Sequence, residues 1–217
     1  MRDCLRLFER RHKGLLGLDP MKALLLSGGV DSTALAHWLR PDIALTIDYG
    51  QVVALAEIEA SKAICAALGI PHRVLRINCH AIAAGQLADK PASKLSNVED
   101  WWPYRNQLLI TFAAAFFANE GLSELIIGTV KSDKIHRDGT AKFISSINRL
   151  LRLQEGCVSV VAPAILLTSE ELLRKSTLPD EVLGWTFSCH TSPHPCGQCR
   201  GCAKRNKVLS AASSQLL

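Results

Sequence analysis

Two stretches of this sequence hold residue types whose spacing can do chemistry. The first is Ser27-Gly28-Gly29-Val30-Asp31-Ser32, which follows an apolar run ending at Leu26. Without a Cβ, Gly28 and Gly29 let backbone N–H groups close on an oxyanion. Ser27 and Ser32 add hydroxyl donors, and a helix starting after the turn adds partial positive charge. The stretch from Leu26 to Ser32 therefore reads as a seat for phosphate or pyrophosphate. Asp31 has two compatible roles, as the helix N-cap and as a carboxylate at the phosphates. The second stretch is Cys189-x6-Cys196-x2-Cys199-x2-Cys202. Four thiolates around one tetrahedral ion match a structural zinc site with no open position, and an iron–sulfur cluster is the competing reading. Lys204, Arg200 and Arg205 are read as offsetting the negative charge of that centre.

The phosphate seat lacks the spacing G-x-x-x-x-G-K-[ST]. It resembles instead the PP-loop of the ATP pyrophosphatases, which cut ATP between its α- and β-phosphates. Other candidates fall where strands should end. Asp48-Tyr49-Gly50-Gln51 closes a second apolar run. Trp101-Trp102-Pro103-Tyr104-Arg105-Asn106 enters a long helix, with aromatics beside an arginine able to stack on a planar base. Gly128 ends another strand, and Asp133 and Asp138 flank the basic loop beyond it, suited to Mg²⁺ or to a guanidine-like base edge. His37, His72 and His80 read as structural or surface groups. His136 and His190 lie near these sites and are given no catalytic role.

The elements that must position these residues alternate. Residues 22–26, 43–47, 72–77, 125–127 and 158–161 read as strands. Residues 32–39, 54–68, 105–120, 142–153 and 168–175 read as helices, the last with Thr168 and Glu171 in capping-box spacing. This order predicts a doubly wound α/β fold with a mainly parallel five-stranded sheet and a C-terminal zinc knuckle. The ligand edge is the carboxyl end of the strands. Residues 78–100 form a long connection, expected to be a functional lid or mobile.

The chain has 217 residues, 48% hydrophobic and 21% charged, enough for one domain with a full core. Its formal net charge of +5 suits an anionic ligand but is too small to argue for nucleic acid. No long apolar run points to a membrane. A core of this size needs no disulfide staples, so the clustered thiols point to a reducing cytoplasm and a metal. Residues 1–20 read as an extension with the spacing of a short basic amphipathic helix. Residues 21–180 then form the ATP-binding domain, and 181–217 the cysteine segment packed on it.

With these residues in hand, the chain resembles the 7-cyano-7-deazaguanine synthase (QueC) family from Lys22 to about Lys207. The shared pattern is Ser27–Ser32, Tyr49-Gly50-Gln51, Pro103-x-Arg105-Asn106, and Ser188-Cys189 with Cys196-Gly197-x-Cys199-x-x-Cys202. The resemblance implies ATP, Mg²⁺ and structural Zn²⁺. It implies that the carboxylate of 7-carboxy-7-deazaguanine attacks the α-phosphate of ATP, releasing pyrophosphate. Ammonia then displaces AMP to give an amide, and a second activation leaves the nitrile. Ser27, Asp31, Ser32 and Asp133 would be catalytic. Leu26 to Ser32, Asp48 and Gly128 would bind nucleotide. Tyr49, Gln51, Trp102, Arg105, Asn106 and Asp138 would bind the deazaguanine. Related enzymes are often homodimers.

The chain departs from the family on the acceptor side. Val52-Val53 stand where the family has Arg-His, and Tyr104 replaces its Gly. His136-Arg137-Asp138-Gly139-Thr140 replaces Tyr-Pro-Asp-Cys-Arg. A second reading therefore keeps the activation but passes the acyl group to an amine of a partner protein, as befits QueC-like paralogues of anti-phage operons such as type IV CBASS. Further alternatives are a PP-loop tRNA-modifying enzyme and a zinc-knuckle binding module.

Overall fold

A computed structural model describes residues 19–213 of the chain. The helical expectation for the N-terminal extension thus falls outside the described residues, apart from Asp19 and Pro20. Five strands form one sheet: β1 (Met21–Leu25), β2 (Ile43–Asp48), β3 (His72–Arg76), β4 (Leu122–Ile126) and β5 (Ser159–Val161). Their order is β3-β2-β1-β4-β5, and every pairing is parallel. The chain walks outward from β1 to β3 and returns to β4 beside β1. The strand order therefore reverses between β1 and β4, which opens a crevice at their carboxyl ends.

The helices are α1 (Val30–Leu39), α2 (Ala54–Leu68), α3 (Arg105–Phe116), α4 (Ala141–Leu151), α5 (Ser169–Ser176), α6 (Asp180–Gly184) and α7 (Arg200–Ser213). They cover both faces, because alternate strand residues point to opposite sides. Ala23, Leu45, Leu125 and Val160 pack with Ile110, Phe117 and Ile147 of the α3–α4 side. Leu24, Ala44 and Ile126 pack with Leu35, Ile64, Leu172 and Val208 on the other.

Several boundaries have clear local causes. α2 ends at Gly69, in the left-handed region with φ 67°, as a helix C-cap requires. α5 opens on Thr168, whose hydroxyl accepts from Glu171 N while the Glu171 carboxylate accepts from Thr168 N. The predicted helix 105–120 stops earlier, at Phe116, where Phe117 turns fully into the core. The connection 78–100 is partly ordered. It folds back through two short 3₁₀ turns, Val52 N donates to Leu87 O, and Leu87, Ala88 and Asp100 are buried. The helix α7 was not foreseen, and it lies against the crevice. No helix of the described residues is long and apolar enough to cross a membrane.

Candidate active site

The crevice is a cavity of about 300 Å³ whose wall includes Ser27, Asp31 and Ser32. Gly28 has φ 74°, and a Cβ there would lie 2.9 Å from Ala60 Cβ and 3.1 Å from Glu57 O. Only glycine allows the loop to pass this close to α2. Gly29 is the N-cap of α1, which makes Asp31 the second residue of the helix rather than its cap. The N-cap role expected of Asp31 therefore falls to Gly29. The Ser27 and Ser32 hydroxyls lie 3.3 Å apart, and Ser32 Oγ and Thr33 Oγ1 donate to Gly29 O. The helix start and both hydroxyls therefore face one spot, as an anion seat requires.

Asp31 is paired through one of its two oxygens. Its Oδ2 lies 2.6 Å from Lys204 Nζ, which also lies 3.4 Å from Asp133 Oδ1. Its Oδ1 is buried without a hydrogen-bond partner. Burial raises the Asp31 carboxyl above its usual range, and the Lys204 ammonium opposes that. Burial works against the charge on Lys204, but Asp31 and Asp133 outweigh it and its pKa rises. Asp133 is fixed by Val130 N, which donates to its Oδ2 at 3.0 Å.

Leu26, Ser27, Gly29, Val30, Asp31, Ser32, Tyr49, Arg105, Asn106, Gly128 and Asp133 all reach the cavity wall, and Gly28 lies behind it against α2. Other predicted residues are spent elsewhere. Trp102 is 2% exposed and sits edge-on to Tyr49, ring centroids 4.8 Å apart. It is core beneath the site rather than a stacking surface. The Gln51 amide is used within the turn: Oε1 accepts from Tyr49 N, and Nε2 donates to Ile47 O and to Glu57 Oε2. Asp48 Oδ1 accepts from Gly50 N, closing the same turn. Asp138 caps α3, its Oδ2 accepting from Asn106 N at 3.1 Å and its carbonyl from Asn106 Nδ2. These four hold the wall in shape from behind.

Sequence reasoning missed Glu57, Asp100 and Lys204 as cavity residues. Glu57 lies beside Arg105, and Arg105 bonds the Tyr49 hydroxyl. Burial pushes the Tyr49 phenol well above its usual range and the Glu57 carboxyl up to about 7. The basic residues near the cysteines point away from the thiolates. Arg200 Nη1 lies 3.1 Å from Asp100 Oδ1, Lys204 meets Asp31, and Arg205 Nε donates to Thr186 Oγ1. Arg200 and Lys204 are four residues apart, one helical turn, so recognising α7 would have placed both on one face.

The four cysteine Sγ atoms lie within 4.8 Å of one another. Two of the separations are 3.9 Å (Cys196–Cys202) and 4.0 Å (Cys189–Cys199). A Zn–S bond of about 2.3 Å gives a tetrahedral edge of about 3.8 Å. Backbone N–H groups of His190, Cys199 and Cys202 point at the sulfurs, which favours thiolates. The donor set fits one tetrahedral ion such as zinc. The cluster is tied to the cavity by short chain. Phe187 N donates to Gly28 O, and Gly201 packs so close to Ser188 O that no Cβ fits between them.

The family model for queuosine biosynthesis protein QueC matches residues 22–213. A 7-cyano-7-deazaguanine synthase of Chlorobium chlorochromatii is 31% identical over 90% of this chain and 94% of its own length. One from Methanosarcina mazei is 25% identical over 87% of this chain and 94% of its own. Among solved structures, an NH3-dependent NAD synthetase from Campylobacter jejuni matches 81% of this chain and 69% of its own, at 16% identity and TM-score 0.45.

Proposed function

This chain belongs to the family of queuosine biosynthesis protein QueC, and from that premise we propose that it activates the carboxylate of 7-carboxy-7-deazaguanine with ATP, releasing pyrophosphate. The acyl group then passes to ammonia, giving the amide and, after a second activation, the nitrile. A carboxylate is a poor acyl donor until one oxygen becomes part of a good leaving group, and AMP is such a group. The observation that carries the reading is the convergence on one cavity of the Ser27–Ser32 loop, Asp31, Asp133 and Lys204. The loop N–H groups and hydroxyls would hold the departing pyrophosphate. Asp31 and Asp133 suit Mg²⁺, which binds through one or two carboxylates plus substrate phosphates. Bound there, the ion would neutralise charge on the leaving group. Arg105 and Tyr49, which line the same cavity, would orient the deazaguanine. The cysteine cluster would hold a structural zinc, with the cytoplasm as the reducing compartment that keeps its thiols available.

The test is one incubation with ATP, Mg²⁺, 7-carboxy-7-deazaguanine and ammonium, read by mass spectrometry. Free 7-cyano-7-deazaguanine is expected, together with AMP and pyrophosphate. Asp31→Asn should slow pyrophosphate release by about a hundredfold or more. Unchanged release in that variant would remove the assignment of the loop.

One observation favours a second acceptor. On the acceptor side His136 replaces the family Tyr, and it is buried in the cavity wall. A protein amine in place of ammonia fits this rebuilt wall. AMP and pyrophosphate without free nitrile, with a partner protein gaining the acyl mass, would select it.

A further inference from the structure

A second polar cluster in the same cavity is left unused by the activation step. Its centre is Asp100, 5% exposed, at the end of the connection between β3 and α3. Arg200 Nη1 lies 3.1 Å and His136 Nε2 3.6 Å from Asp100 Oδ1, and His190 Nδ1 lies 3.3 Å from Oδ2. Arg200 Nη1 is also 3.0 Å from His136 Nε2. All four side chains line the cavity that holds Ser27 and Asp31. They come from four separate segments of the chain, so the fold converges on this point. A latch between the connection and α7 needs only Asp100 and Arg200. The imidazole of His136 adds a group able to exchange a proton near neutral pH.

Charged groups face His136 from every side. Arg105 faces it from α3, Arg200 from α7, Asp100 from the connection, Asp138 from its own loop, and His190 from the segment before α7. Burial lowers its pKa below the usual 6.5, and the two guanidinium groups act in the same direction, against Asp100 and Asp138. The ring is therefore uncharged at neutral pH, and since Nε2 faces Asp100 and Arg200, Nδ1 is the nitrogen left to take a proton.

We infer that His136, held in place by Asp100, is the base that takes the proton from the acceptor amine. The inference rests on the acyl-adenylate reading above. The amine lone pair forms the C–N bond to the activated carbonyl carbon. The C–O bond to AMP breaks, and AMP leaves with the electron pair. The proton lost by nitrogen passes to the His136 imidazole, the Asp100 carboxylate stabilises the imidazolium, and solvent carries the proton away. Asp100 acts through His136 and is a positioning residue.

The two half-reactions separate this inference from the reading it rests on. Exchange of labelled pyrophosphate into ATP, dependent on 7-carboxy-7-deazaguanine, reports activation and needs no amine. Amide formation with ammonium or methylamine reports transfer. His136→Ala and His136→Gln should lose transfer by about a hundredfold more than they lose exchange. Added imidazole should restore part of the transfer in His136→Ala. Asp100→Asn should move the acid limb of the transfer rate to lower pH, because the imidazolium loses its carboxylate. Equal losses of exchange and transfer without imidazole rescue would reduce the cluster to a latch and overturn the inference. So would transfer that survives in both His136 variants. Absence of exchange in the unaltered protein would instead overturn the activation reading itself.

Discussion

Lys204 Nζ lies 2.6 Å from Asp31 Oδ2 and so joins the C-terminal helix to the phosphate loop. The same ammonium lies 3.4 Å from Asp133 Oδ1, beyond β4. One side chain thus ties together three elements that meet where the strand order reverses. Removing it strands two partly buried carboxylates. Fully buried pairs cost 3–5 kcal/mol to break, and Lys204 is about one-third exposed, so Lys204→Met should cost about 1–3 kcal/mol. Urea melts measure that loss. Pyrophosphate exchange should fall as well, because Lys204 would no longer hold Asp31 and Asp133 together at the loop. Full exchange in Lys204→Met would show that Lys204 is only a structural tie.

α7 carries little signal in its sequence. The strands and α2 were legible because apolar runs end at glycines and prolines. Residues 54–68 were bounded correctly because Gly69 offers the left-handed cap. The capping box of Thr168 and Glu171 was equally local. α7, by contrast, is largely polar, and Val208 is its main buried apolar contact. Its helical register therefore carried little hydrophobic signal. With it went Lys204 and Arg200, which were assigned to the thiolates by proximity in sequence. Trp102 and Gln51 erred in another way. Their types suit ligand contact, yet the packing of Trp102 on Tyr49 and the turn bonds of Gln51 decide their use, and both are tertiary facts.

The cysteine cluster carries a related consequence. A purely remote metal staple would affect stability and spare the site. Here α7 begins directly after Cys199 and sends Arg200 and Lys204 into the cavity. Elemental analysis should find one zinc per chain in a colourless protein. Cys199→Ser, or chelation, should lower the melting temperature and the exchange rate together. A metal-free protein with undiminished exchange would separate the knuckle from the site.

Tyr104 offers a test of backbone strain. It precedes α3 with φ 55°, in the left-handed region, and its side chain is 71% exposed. The family pattern has glycine at this position, and the conformation gives the reason. Tyr104→Gly loses little packing and relieves the strain, at some cost in unfolded-chain entropy. The net expectation is a gain of about 0.5–1 kcal/mol in urea unfolding. A loss of stability would mean that the exposed ring has a contact role that its exposure conceals.

Glu57 gives a pH dependence with a definite sign. Its Oε2 accepts from Gln51 Nε2 at 2.7 Å, and burial pushes its carboxyl from 4.5 up to about 7. Between those values the folded chain holds a proton that the unfolded chain has lost. Stability contributed by the neutral acid is thus fully present below about 4.5 and is lost as pH rises through about 7. Glu57→Gln does not titrate and keeps an oxygen for Gln51. Its stability relative to the unaltered protein should therefore climb between pH 5 and pH 8, by on the order of 2 kcal/mol. Paired urea melts at the two pH values measure the difference. A gap that stays constant, or one that narrows toward pH 8, would mean that Glu57 is already ionised in the fold. Its carboxylate would then be held by Arg105, which faces it across the cavity wall.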